Sequence, residues 1–204
     1  GRLEAALEHS ERGRARALVE MLESAPLETT TSIDELREVA HRNRMTIVEY
    51  VVGERASSVI VLEPSGRLHA HSLALTAAEL GREVEALRQT LSAAQDARPL
   101  LSKLYRELVT PIETLLPADP EQLVTIVPHQ SLFLVPFACL LDDSGRYLIQ
   151  SHTLSYAPAL RALRLVTRRR ESGKVLVVGE PSGGSPLPSA RDEAVAIAQL
   201  FPAK

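Results

Sequence analysis

The side chains best suited to covalent chemistry are His129 and Cys139, ten positions apart in the stretch Val124–Leu140, VTIVPHQSLFLVPFACL. A thiol becomes a nucleophile when a base or a cationic neighbour lowers its pKa. Cys139 stands between Ala138 and Leu140 with no basic neighbour, and burial in such a segment would raise its pKa. Core packing is therefore expected over a peptidase dyad, and His129 is expected to be a turn residue whose imidazole satisfies nearby backbone groups. His69 and His71 form a second pair, alternating with Leu68 and Ala70 along one strand. Two imidazoles at that spacing can share a metal, but a third ligand is lacking, so a solvated polar strand face is expected. Asp142 and Asp143 sit in a turn where adjacent side chains diverge, which gives no acid–base pair. The loop GEPSGGSP, Gly179–Pro186, lies between a strand and a helix, where phosphate-binding loops occur. It lacks both the Gly-Lys-Ser/Thr ending and the G-x-G-x-x-G spacing, and its prolines remove amides, so a connecting loop is expected. Arg168, Arg169 and Arg170 with Lys174 complement a helix end better than they fit a nucleic-acid footprint, which would interleave aromatics. No catalytic, cofactor-binding or metal-ligating residue is assigned.

These residues need elements to hold them. Leu3, Ala6, Leu7, Ala17, Leu18, Met21 and Leu22 fall at helical spacing, and the polar, proline-containing Ser24–Thr31 that follows is a linker. Ser32 with Glu35 forms a capping box that opens a short helix. From Met45 the hydrophobic period shortens to that of strands. Thr46–Val52 and Ser57–Leu62 form a hairpin, and Pro64-Ser65-Gly66 turns the chain into a third strand at Arg67–Leu73, giving an antiparallel meander. Thr76 with Glu79 opens another helix, Pro99 starts the next, and Pro111 is expected to kink it or end its regular part. Val124–Val127 is a β-branched strand buried on both faces and stopped by Pro128. The chain re-enters the core as Leu132–Val135, and Pro136 starts a short helical turn with Phe137. Phe133 and Phe137, two of the three phenylalanines, are expected as anchors of a packing hinge. Tyr147–Ile149 and Thr153–Tyr156 are short extended pieces, and a helix is expected from about Pro158 to Arg168. Val175–Val178 then begins a parallel βα unit whose helix is Ala190–Leu200. That strand is expected to keep an incompletely paired edge.

With 204 residues, 45% of them hydrophobic, the chain can bury a substantial core, and its formal net charge of -3 offers no general attraction for nucleic acid or an anionic membrane. A single cysteine excludes an intramolecular disulfide framework and favours a reducing, cytoplasmic setting. No stretch approaches the ~20 apolar residues of a membrane span.

Several stretches together resemble a known family. Ser10–Leu18, SERGRARAL, is similar to the helix that closes tetratricopeptide arrays ahead of a CHAT domain, a caspase-like module. Glu49–Gly53 resembles that family's first hairpin, and Val127-Pro128-His129 with Leu134–Phe137 resembles its central signature. Ser155–Leu160, then Val177–Pro181, Leu187-Pro188 and Glu193-Ala194, follow in the family's order.

The resemblance implies an α/β fold in which an antiparallel meander with helices leads into a truncated caspase-like three-layer core, preceded by an N-terminal α-helix. It implies a division into residues 1–31, the last repeat helix and its linker, and 32–204, comprising a meander half, 32–170, and the first βα unit of the core, 171–204. Active relatives are cysteine endopeptidases whose histidine and cysteine end core strands beyond the segment matching Val177–Leu200. Neither His129 nor Cys139 matches those positions. The chain is thus expected to be an N-terminal fragment without the catalytic pair, inactive by itself, or else an interaction scaffold or pseudopeptidase. The partners implied are the missing C-terminal peptidase half, upstream tetratricopeptide repeats and a protein substrate or regulator, with no cofactor, nucleic acid or membrane.

Overall fold

A computed structural model describes residues 32–160, 163, 177 and 189–200. The chain divides into two units, residues 1–167 and 168–204.

The first unit opens with helix α1, Ile33–Arg42, started by a reciprocal cap. The Glu35 amide donates to Ser32 Oγ at 3.3 Å, and the Ser32 amide donates to Glu35 Oε2 at 3.0 Å. Leu36, Val39 and Ala40 form its buried stripe. Strands β1, Thr46–Val51, β2, Ser57–Leu62, and β3, Leu68–Leu73, follow as the expected meander, with Tyr50 opposite Val59 and Ile60 opposite Ala70. Gly66 turns the second hairpin at φ +84°, a conformation that a side chain would strain. Helix α2, Ala77–Ser92, carries the second capping box, from Thr76 and Glu79. Helix α3, Arg98–Leu108, has Pro99 in its first turn and gives way to a 3₁₀ helix, Thr110–Leu115, that contains Pro111. Both prolines behave as expected.

Strand β4, Leu123–Val127, ends at Pro128, and strand β5, Thr153–Tyr156, lies beside it. The described strands form one five-stranded sheet of order β3-β2-β1-β4-β5. β1 pairs with β4 in parallel, Val48 opposite Ile126, and β4 pairs with β5 in parallel, Thr125 opposite Ser155. The sequence-based expectation reserved parallel pairing for Val175–Val178, yet it is already present at the sheet's centre. Strand direction is set by where the crossover through α2 and α3 returns the chain, which the strand's own residues do not encode.

One face of the sheet, with Val48, Tyr50, Val59, Val61, Val124 and Ile126, packs against α2, α3 and the 3₁₀ turns that follow β4. The other, with Ile47, Ile60, Leu62 and Val127, packs against α1 and against Ala157, Leu160 and Leu163. This makes a three-layer mixed α/β arrangement.

Between β4 and β5 lie three short 3₁₀ helices, Gln130–Leu134, Phe137–Cys139 and Leu148–Gln150. The last replaces the expected extended piece at Tyr147–Ile149, while Tyr147 bridges Leu141 across the Asp142–Gly145 turn. Phe133 and Leu134, expected in the core, are each 54% exposed. The three-residue period of a 3₁₀ turn places Leu132 and Val135 inward together and leaves the two residues between them outward.

In the second unit the described element is helix α4, Ala190–Gln199, which has no buried side chain. The expectations for the helix before Leu22, the linker Ser24–Thr31, the basic cluster Arg168–Lys174 and, apart from Val177, the strand and loop Val175–Pro188 lie outside the described residues. So does most of the helix expected between Pro158 and Arg168.

Candidate functional site

The turns after β4 gather most of the residues that chemistry could use. Pro128 ends the strand, and His129 follows in extended conformation. Its Nδ1 accepts the backbone N–H of Val52 at 2.9 Å, so the imidazole terminates β1 from the neighbouring parallel strand. Gln130 then takes a left-handed φ of 52° to start the 3₁₀ turn. His129 is therefore the backbone-satisfying turn residue that the sequence suggests.

Phe137, fully buried, lies beneath the next turn, its ring centroid 5.4 Å from that of Tyr50 and 6.4 Å from that of Tyr156. The Tyr50 hydroxyl donates to the Leu108 carbonyl at 3.0 Å, which ties β1 to the end of α3, and burial pushes its phenol pKa up. Tyr156 Oη accepts the Ala138 amide at 3.3 Å. Cys139 is exposed, contrary to the expectation of core packing. Phe137 and Leu140, three residues apart, point inward across this turn, so the residue before Leu140 faces solvent.

His69 and His71 do share a strand face, as expected, but it is the more buried face and not a solvated one. They stand opposite Val61 and Val59 and on the same side as Leu73, half-buried, while Ala70 is exposed. Leu73, not Leu68, sets the phase of β3. His69 Nε2 lies 2.7 Å from Glu63 Oε1. A hydrogen bond from Ser65, reinforced by His69, holds the Glu63 carboxyl below its ordinary pKa. Among the described residues no group of three His, Cys, Asp or Glu side chains is arranged to hold a metal ion.

Asp142 and Asp143 diverge as expected. Asp142 accepts hydrogen bonds from Ser144 and Arg146, which lower its pKa, and Asp143 faces Arg106 at 3.6 Å.

Three polar features were not singled out from the sequence. Glu49, 1% exposed, interrupts the apolar run of β1 on the face it shares with Ile47; a carboxylate inside a β-branched strand was the available signal. Glu83 on α2 and Glu107 on α3 converge on Lys103, whose Nζ lies 2.7 Å from Glu83 and 3.8 Å from Glu107. Burial, and then the facing Glu83, push Glu107 up to about 7. His152 is partly buried, which lowers its pKa against the pull of Glu113, and its Nδ1 makes no hydrogen bond among the described residues. No thiol or hydroxyl nucleophile is hydrogen-bonded to any of these groups among the described residues, so they form no nucleophile–base pair.

Comparison with curated proteins gives no match. Among solved structures, a chain of a PilM-PilN type IV pilus biogenesis complex is similar at 20% identity and a TM-score of 0.37, over 59% of this chain and 38% of that one. A family model for the CHAT domain matches residues 98–204, from the first residue of α3 through both units and more than half of the chain. The chain belongs to the CHAT domain family, a caspase-like peptidase family.

Proposed function

We propose that this chain is the N-terminal portion of a CHAT-family caspase-like cysteine endopeptidase, that it supplies scaffold to the active site, and that it hydrolyses no peptide by itself. One observation carries this: the chain's single thiol, Cys139, is exposed on a 3₁₀ turn with no base hydrogen-bonded to it among the described residues, while His129 Nδ1 accepts the Val52 amide. A thiolate mechanism needs a base within hydrogen-bond reach of the sulfur, oriented by a third group. In the complete protein that pair would come from residues beyond this chain, which would attack the peptide carbonyl and handle the protons. The remaining partners would be tetratricopeptide repeats upstream and a protein substrate or regulator, in the cytoplasm. Assaying the chain with a fluorogenic peptide library tests the proposal. No turnover is expected, and turnover abolished by Cys139→Ala would defeat it.

A second reading, a non-enzymatic interaction module, is favoured by the outward apolar side chains of Phe133, Leu134 and Ile149, each more than half exposed. The two readings separate on the downstream sequence of the parent gene. A His-Gly strand end followed by a cysteine strand end fits the peptidase, and their absence fits the scaffold.

A further inference from the structure

β3 is an edge strand. The Glu63 amide donates to the Arg67 carbonyl at 3.0 Å across the turn, which fixes the alternation of the β2–β3 ladder. Arg67, His69 and His71 turn their backbone groups toward β2, and Leu68, Ala70 and Ser72 turn theirs outward. No hydrogen bond among the described residues engages that outer row. Natural edges are usually blunted by lysine, proline, a bulge or a covering element. Here the register runs unbroken from Ser57–Leu73 to Leu62–Leu68, and the strand, LHAHSL, holds neither lysine nor proline.

We propose that β3 pairs antiparallel with β3 of a second copy about a two-fold axis at Ala70, joining two five-stranded sheets into one. Any extended peptide could match the backbone, but the side chains single out a second copy. The axis places Ala70 against the partner's Ala70, and the exposed, small side chains at positions 70 and 72 let the strands approach. It also places His69 opposite the partner's His71, and His71 opposite the partner's His69. Both are non-hydrogen-bonded pairs, the closer kind, with Cα atoms ~4.5 Å apart. Each pair would hold two imidazoles within reach of one ion, with Glu63, already 2.7 Å from His69, as an oxygen donor. That donor set suits Zn²⁺. The third ligand that one chain lacks would come from the symmetry of the pair.

Sedimentation equilibrium of the full chain, in chelator and then with zinc chloride, tests this. The dimer mass is expected in both, with dissociation about tenfold or more weaker in zinc. Ala70→Pro removes an outward donor and no β2–β3 bond, so it should give a folded monomer whose thermal midpoint no longer depends on protein concentration. His71→Ala should keep the dimer and lose its response to zinc. If Ala70→Pro unfolds the chain, A70C in a Cys139→Ala background decides, because facing residues of a hydrogen-bonded pair lie ~5.5 Å apart and can form a disulfide. A crosslinked dimer under mild oxidation is expected. A monomer under all conditions, a dimer unaffected by a folded Ala70→Pro variant, or no crosslink would each overturn the proposal.

Discussion

The backbone N–H of Val52 donates to Nδ1 of His129 at 2.9 Å, joining the end of β1 to the turn that follows β4. Only a nitrogen without a proton can accept that bond, so the pairing demands an imidazole unprotonated at Nδ1. His129→Ala leaves the Val52 amide without this acceptor. The expected loss is about 1–3 kcal/mol, read as a lower urea midpoint at unchanged slope.

Two phenylalanines four residues apart should behave oppositely. Phe137 is completely buried between Tyr50 and Tyr156, whereas Phe133 is 54% exposed. Phe137→Ala is expected to cost about 3–5 kcal/mol, and Phe133→Ala less than about 1 kcal/mol. Denaturant titration of both variants checks the contrast. A nearly neutral Phe137→Ala would end the view of this segment as a packing hinge.

Glu107 gives the chain a pH dependence of definite sign. With its folded pKa raised to about 7 by burial and by Glu83, the folded state binds more protons than the unfolded chain between the ordinary carboxylate range and about 7. Its contribution to stability therefore falls as pH rises through that window. Arg106 and Lys103 moderate the effect without reversing it. Glu107→Gln cannot titrate and should flatten the profile of thermal midpoint against pH there. An unchanged slope in that variant would place its origin elsewhere.

Cys139 should react with a thiol reagent in the native state at the same rate as in denaturant, because it is exposed and needs no unfolding to be reached. Cys139→Ala should shift stability by less than about 0.5 kcal/mol. Labelling that waits on denaturant would contradict the exposed position.

Gly53 occupies a position where shape alone forbids a side chain. A Cβ there would meet the Ala56 carbonyl oxygen at 2.5 Å, and the Gly53 carbonyl also accepts the first amide of α2, from Ala77, at 2.9 Å. Gly53→Ala is expected to cost about 1–3 kcal/mol by pushing apart the β1–β2 connection. Calorimetry of the variant would measure it.

The features legible in the sequence were those whose cause is local. Ser32 with Glu35 and Thr76 with Glu79 announce their helices because the caps close within one turn, and Pro99 and Pro128 act on their own backbone. The meander was readable because short turns join its strands. The parallel pairing of β1, β4 and β5 was not, since strand direction depends on a long crossover. The exposure of Cys139 and Phe133 was missed because an apolar run looks the same whether it continues as a strand or winds into 3₁₀ turns that bury every third residue and send those between them outward. The shared face of His69 and His71 was legible, but its half-burial was not, because Leu68 and Ala70 point to the opposite face as the apolar one while Leu73 draws the histidine face toward the core.

The placement of β1 at the centre of the sheet also sets an order in time. On one side it meets β2 and β3 through tight turns, and on the other it meets β4 only after α2 and α3 have been traversed. During synthesis the meander emerges first, and its local contacts carry little loop-closure cost. Until β4 is made, the inner edge of β1 remains an open row of amides and carbonyls flanked by Ile47, Val48 and Tyr50. The nascent chain is thus most prone to mispairing after the hairpins have formed and before Val124–Val127 arrives.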